Sequence, residues 1–340
     1  PAPPPPPPFQ AEDGIRDKRG GLVGSEMCIR DRCRLYRRAI RAAFVNSSNN
    51  DATAAGSAVS NQGQVNYPPV PGNPAYSDVI ALPWRQHDIK IAYGEHPDQF
   101  GLLWLPNPKV AIKKPTVALL HGGCWMRAYD IHHTAALATA LAQAGYPVWN
   151  IEYRRADENQ SAWPTSLQDV RRGLLALHQL SNYGVTLDEV AILGHSAGGH
   201  LALLLAAEAS QLIPSECNDV FVVGLAAITD IAAYASGDNS CQRCTALFMG
   251  GTPNGIPDAY AAANPIGKEI NIPVTLLQGD ADQVVPADQF NSLRGKTVTR
   301  QLISDAGHFD WIHPGTPAFQ TLLHILDRCD DTPTNNQVSP

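Results

Sequence analysis

Residues Glu189–Ala207 read EVAILGHSAGGHLALLLAA. A short apolar run ends in a glycine, a His-Ser pair follows, and an Ala/Leu-rich stretch with helical character takes over. Gly194-His195-Ser196-Ala197-Gly198 is G-x-S-x-G, a weak signal by itself, since average Gly and Ser usage gives roughly 0.1 chance matches in a chain of this size. Its setting makes it stronger. A nucleophile elbow needs a strand before the serine and a helix after it, with glycines that let the backbone turn sharply and lift Oγ out. The plainer alternative is a glycine-rich turn carrying a solvated serine.

The same rhythm continues on both sides of this stretch. His87–Gly94 and Gln99–Pro106 alternate apolar and polar residues around EHPD and predict an antiparallel hairpin. Pro115–His121 is continuously apolar, as in a strand covered on both faces. Strands are further predicted at Tyr146–Tyr153, Glu189–Gly194, Val220–Ile228, Ile272–Gln278 and Val298–Ile303. Helices are predicted at Thr134–Ala144, Ser166–Leu180, Gly198–Ala207, near Asp288–Arg294 and at Pro317–Asp327. Strands alternating with helices imply parallel βαβ units. The expected fold class is therefore α/β, a mostly parallel sheet with helices on both faces and an N-terminal hairpin. Residues 229–265, rich in Gly, Asn, Asp and Ala, interrupt the rhythm and read as a lid or binding loop.

An elbow serine needs an orienting acid and a base, which follow it in that order along the chain. Strand IPVTLLQ runs into Gly279-Asp280-Ala281-Asp282, and the next strand into Ala306-Gly307-His308-Phe309. Both loops lie at carboxyl ends of strands, where ligands of open α/β sheets gather. Ser196, Asp282 and His308 are thus the candidate triad, with Asp280 the competing acid and His313 the competing base. His121-Gly122-Gly123-Cys124-Trp125 closes an earlier strand. Its glycines let an amide N–H meet a developing oxyanion, so Gly122, Gly123 and Cys124 with Ala197 are the candidate oxyanion hole. Whether Gly123 or Cys124 supplies the loop donor stays open. Trp125, His195 and Trp311 are the candidate pocket residues, with Trp163 considered beside them. His132-His133 reads as a loop or helix-start pair near the pocket mouth, because no metal-ligand spacing follows it.

HGGCW, WNIEYRR, LQDVRRGL, GHSAGGHLA and GHFDWIHP together resemble the small serine esterases of the α/β-hydrolase group, among them kynurenine formamidases (arylformamidases), feruloyl-esterase-like proteins and hormone-sensitive-lipase relatives. The likeness runs from about Asp88 to Asp327. It implies an eight-stranded α/β-hydrolase fold and cofactor-free Ser-His-Asp catalysis, and it places the family's acid at Asp282 rather than Asp280. Gln278 is a departure, since many relatives carry His there; little effect is expected from it. The implied activity is hydrolysis of a short-chain or aryl carboxylic ester. Arylformamidase and prolyl-oligopeptidase-type peptidase are the alternatives, and a non-catalytic hydrolase-fold binding protein is a remote one.

Composition narrows the partners. The net charge of −7 divides into +4 over residues 1–44 and −11 over the remainder. So acidic a body should repel nucleic acid. The expected partner is a small ester or amide, with a homodimer left open, and neither metal nor other cofactor is expected. Residues 1–32 open with a proline run and then resemble translated sequencing-adapter read-through, so they are set aside from fold reasoning. Residues 33–76 read as a disordered linker, 77–330 as the hydrolase domain and 331–340 as a disordered tail. The Asn/Ser/Ala-rich linker leans toward export over a cytoplasmic location, with the true N-terminus expected to be missing. Seven cysteines among 340 residues are too few for a disulfide scaffold. Cys241 and Cys244 form a single C-x-x-C, short of the four ligands that structural zinc takes. Reduced thiols are the expectation. A disulfide within the inserted segment, or from it to Cys124 or Cys217, is the exported alternative.

Overall fold

The computed structural model describes residues 58–59, 63–113, 115–215 and 217–327. Expectations for residues 1–57 and for the 331–340 tail lie outside them. Eight strands form one sheet: β1 (Ile89–Ala92), β2 (Phe100–Trp104), β3 (Thr116–Leu120), β4 (Val148–Ile151), β5 (Glu189–His195), β6 (Asp219–Leu225), β7 (Val274–Gly279) and β8 (Val298–Ile303). Across the sheet the order is β8-β7-β6-β5-β3-β4-β2-β1. Only the β1–β2 and β2–β4 pairings are antiparallel. From β4 outward every neighbour is parallel, with Leu120 opposite Gly194 and Ile303 opposite Gly279. This is the α/β-hydrolase fold.

Alternate residues of the central strands feed two apolar layers. Ala118, Leu120, Val190 and Ile192 point to the side covered by α3 (Thr165–Leu175) and α4 (Ala197–Ala206). Val117, Leu119, Ala191 and Leu193 point to the side covered by α2 (Ala135–Gln143) and α9 (Pro317–Asp327). All of β3 is buried, as its unbroken apolar sequence requires. Each of these leucines contributes about 1.5–3 kcal/mol relative to an exposed one.

Two segments differ from expectation. Residues 229–265 are substantially helical: α5 (Ile231–Tyr234), α6 (Ser240–Met249) and α7 (Pro257–Ala263). Asn239 and Gln242 form a capping box at the head of α6, and Pro257 starts α7 where its missing N–H costs nothing. Residues 63–75, expected as linker, make specific contacts. The Val70 amide donates to the Gly315 carbonyl and the Asn73 amide to Asp310 Oδ2, and helix α1 (Tyr76–Ile80) follows. No helix among the described residues is long and apolar enough to cross a membrane.

Candidate active site

The elbow forms where β5 meets α4. Ser196 sits at φ 55°, ψ −116°, a left-handed conformation that L-residues hold only when their surroundings impose it. Here the Ser196 amide donates to the Leu225 carbonyl and its own carbonyl accepts from the His200 amide. Gly198 is required by close approach, for a Cβ there would lie 2.3 Å from the Leu120 carbonyl oxygen. Ser196 is 1% exposed.

Asp282 and His308, the candidate acid and base, lie beyond the ends of β7 and β8. His308 Nδ1 stands 2.9 Å from Asp282 Oδ2. The other carboxylate oxygen accepts the Val284 and Val285 amides at 2.7 and 2.9 Å. Burial opposes charge on Asp282. The imidazole of His308 and these N–H donors outweigh it and hold the carboxyl below its ordinary value. Asp280 is exposed and accepts the Asp305 amide. His313 accepts the Gly315 amide through Nδ1. The structure therefore joins His308 to Asp282, while the two competitors are engaged in turns.

The loop after β3 takes an unusual path. Gly123, Cys124 and Trp125 have φ of 105°, 53° and 57° in succession. At Gly123 a side chain would also strike Tyr129, 2.3 Å from the added Cβ. Below the loop, His121 donates from Nδ1 to the Gly122 carbonyl at 2.8 Å and meets Glu152 Oε1 through Nε2 at 2.9 Å. Glu152 also accepts the Ile131 and Tyr153 amides, with Arg155 3.4 Å away. Burial works against the Glu152 charge, but His121 and Arg155 overcome it and hold the carboxyl low. Ala197 is buried at the first position of α4, directly after Ser196.

Cys124 is disulfide-bonded to Cys241 on α6, across 117 residues of sequence. This corrects the expectation of reduced thiols, and Cys241 pairs with Cys124 instead of Cys244. Trp125 follows Cys124 into the same contact, stacking on Phe248 of α6 at 4.7 Å and meeting His200 and Tyr234 edge-on. Trp125, His195 and Trp311 were expected in a pocket, but all three are fully buried and present no accessible surface. Trp311 belongs to the apolar layer with α9. Trp163 is half-buried and packs edge-on against Phe248.

His195 lies against His308, ring centroids 4.7 Å apart. Its Nε2 faces the His308 carbonyl at 3.0 Å and its Nδ1 faces His133 Nε2 at 2.9 Å. A carbonyl only accepts, so Nε2 of His195 carries the proton and Nδ1 accepts from His133. Burial, with the nearby His308, pushes His195 down to about 3, and burial lowers His133 as well. His132 is exposed and bonded to Asp130. Tyr76 packs against Tyr129 at 5.6 Å and Phe309 at 5.3 Å, bridging the loops that carry Gly123 and His308. Sequence reasoning assigned no role to Glu152 or Tyr76, read His133 only as a residue near the pocket mouth, and expected little effect from Gln278. Glu152 carried a signal, as a buried carboxylate directly after an apolar strand end.

A family model, BD-FAE, matches residues 103–297, from β2 through the elbow and Asp282 to the residue before β8. Esterase LipC of Mycobacterium tuberculosis (strain ATCC 25618 / H37Rv) is 25% identical over 243 residues, covering 65% of this chain and 59% of that protein. The probable carboxylic ester hydrolase LipM of the same organism is 34% identical over 123 residues, 35% of this chain and 28% of that one. The chain thus spans less than two thirds of the length of either relative. Among solved structures, Esterase B from Lactobacillus rhamnosis (HN001) is similar with TM-score 0.58 at 20% identity, covering 89% of this chain and 96% of that one. A truncated carbohydrate esterase from gut microbiota has the same TM-score and identity, covering 72% and 96%. More than half of the sequence, including the elbow and the acid loop, lies within the matched model, and the chain belongs to the BD-FAE family.

Proposed function

We propose that this protein hydrolyses small carboxylic esters through an acyl-enzyme on Ser196. The observation that carries this reading is the 2.9 Å Asp282–His308 hydrogen bond at two strand ends, with Ser196 held in left-handed backbone on an elbow whose preceding residue, His195, meets the His308 carbonyl at 3.0 Å. Similarity to LipC and LipM, an esterase and a probable carboxylic ester hydrolase, supports the ester over an amide.

His308 Nε2 takes the Ser196 proton as Oγ attacks the carbonyl carbon. Asp282 fixes the imidazole with its proton on Nδ1 and stabilises the imidazolium. The Ala197 amide and an amide of the Gly122–Cys124 loop receive the oxyanion, each donor lowering the barrier by about 3–4 kcal/mol. His308 then protonates the departing alkoxide, and water, deprotonated by the same ring, releases the acid. No metal or other cofactor enters these steps. Because Ser196 and His308 are only 1% and 5% exposed, substrate entry requires neighbouring side chains to part.

The full chain is treated with a fluorophosphonate probe and the adduct located by peptide mass spectrometry, followed by turnover of aryl acetates and N-formylkynurenine. The adduct is expected on Ser196 and lost in His308→Ala, and Ser196→Ala is expected to lower kcat by at least ~10⁴-fold. Labelling elsewhere, or a Ser196→Ala variant within tenfold of wild type, overturns the assignment.

A further inference from the structure

We propose that Gln278, the penultimate residue of β7, is a positioning residue that aims the Asp282 carboxylate at His308; this rests on the catalytic reading of those two residues. Gln278 is 1% exposed, and its Nε2 lies 2.9 Å from Asp282 Oδ2, the oxygen that His308 Nδ1 also engages at 2.9 Å. The same nitrogen lies 3.2 Å from the Val285 carbonyl. Its two protons therefore serve two acceptors, one on the acid and one on the turn behind it. Val284 and Val285 amides occupy Oδ1. Without Gln278, Oδ2 would keep His308 alone, and the carboxylate could swing about the axis fixed by its Oδ1 bonds.

The chemistry of the donor matters as well as its place. An amide cannot ionise over the working range, so the second bond to Oδ2 persists at every pH. It takes up part of the carboxylate charge that otherwise falls on the imidazole. Other groups facing the pair keep their state near neutrality. His195 and His133 stand behind His308 from β5 and the turn before α2, and burial keeps both rings neutral. Tyr234 of α5 lies beside Asp282, and burial raises its hydroxyl far above the ordinary value. The charge balance at Asp282 Oδ2 is then set by His308 and Gln278.

Gln278→Met keeps the length and removes the donor, whereas Gln278→His restores an N–H. Both are made in the full chain and compared with wild type by fluorophosphonate site counting, kcat, KM and pH profiles of kcat/KM. In Gln278→Met, kcat is expected to fall about tenfold with KM within about twofold, on the scale of removing a partner that orients an active-site ligand. Loss of a donor leaves more negative charge facing the ring and favours its protonated, inactive form. The acid limb should therefore move up by roughly half a pH unit. Gln278→His is expected to recover kcat to within about threefold of wild type and to return the limb, as a charge-assisted bond is re-formed. Wild-type kcat and limb in Gln278→Met, or equal loss in both variants with an unmoved limb, overturns the proposal. If Gln278→Met does not fold, the downfield proton NMR signal of His308 Nδ1 decides between wild type and Gln278→His: retention supports the proposal and loss overturns it. An unlabelled wild-type Ser196 overturns the reading of the whole site and this inference with it.

Discussion

The acid side and the oxyanion side of the candidate site are made rigid by different physics. Around Asp282 the restraint is polar: four donors, from Val284, Val285, His308 and Gln278, converge on one buried carboxylate. Around Cys124 it is steric and covalent: three successive left-handed residues, a stacked indole and a disulfide to α6. The polar side can respond to protons, because every restraint on it is a hydrogen bond. The steric side responds to shape and to the sulfur bridge. A site built in this way leaves the Asp282–His308 pair adjustable while the backbone of the Gly123–Trp125 loop stays fixed.

Asp282→Asn tests the polar side most severely. It leaves the shape intact but presents an amide where His308 needs an acceptor, and kcat is expected to fall by about 10⁴-fold in steady-state assays with far-UV circular dichroism unchanged. On the steric side, Gly123→Ala forces a Cβ against Tyr129 at φ 105° and shifts the loop. Its expected cost is about 10²–10³ in kcat, the loss of one oxyanion donor, with near-UV circular dichroism preserved. A smaller kcat loss for Asp282→Asn than for Gly123→Ala would reverse the comparison.

Cys241→Ser, or reduction of the wild type, should lower stability by about 2–4 kcal/mol in denaturant titrations. It should lower kcat more than it raises KM, because α6 and Trp125 support the loop that meets the transition state. Acid-sensitivity is read from stability alone. His195 and His200 are pushed down to about 3 and about 4 by burial, and His133 is lowered too. As pH falls below about 6.5 the unfolded chain takes up protons that these buried rings refuse, so folding stability falls between roughly pH 6.5 and 4. Asp282 acts below that window, since its contribution is lost as pH drops through its depressed folded value. His200→Gln should flatten the upper slope by at most one proton, about 1.4 kcal/mol per pH unit, in urea midpoints measured against pH.

What was legible in the sequence was local. The strands at Thr116–Leu120 and Glu189–His195 declared themselves by apolar runs, and the elbow by glycines at fixed offsets. Asp282 and His308 were readable because strand ends and chain order constrain them. The polar restraints behind them were not, since they pair residues far apart, His133 with His195 and Glu152 with His121, and the Cys124–Cys241 bridge was one of several open alternatives. Residues 63–75 escaped for another reason. They dock largely through backbone amides, as Val70 does on Gly315, and composition carries no record of a backbone bond. The helix at Ser240–Met249 was in fact announced by Asn239 and Gln242, but the glycine-rich surroundings masked the capping box.

The Cys124–Cys241 bridge divides the backbone into a covalent ring and two arms. Ser196 lies inside the ring, whereas Asp282 and His308 hang on the C-terminal arm. A protease cutting the exposed turn at 181–184 would open the ring yet leave both fragments joined through sulfur. A cut among residues 252–255 would instead detach the arm that bears the acid and the base. The two nicks leave masses that differ under non-reducing conditions, and only the second leaves the nucleophile dependent on packing alone to keep its partners.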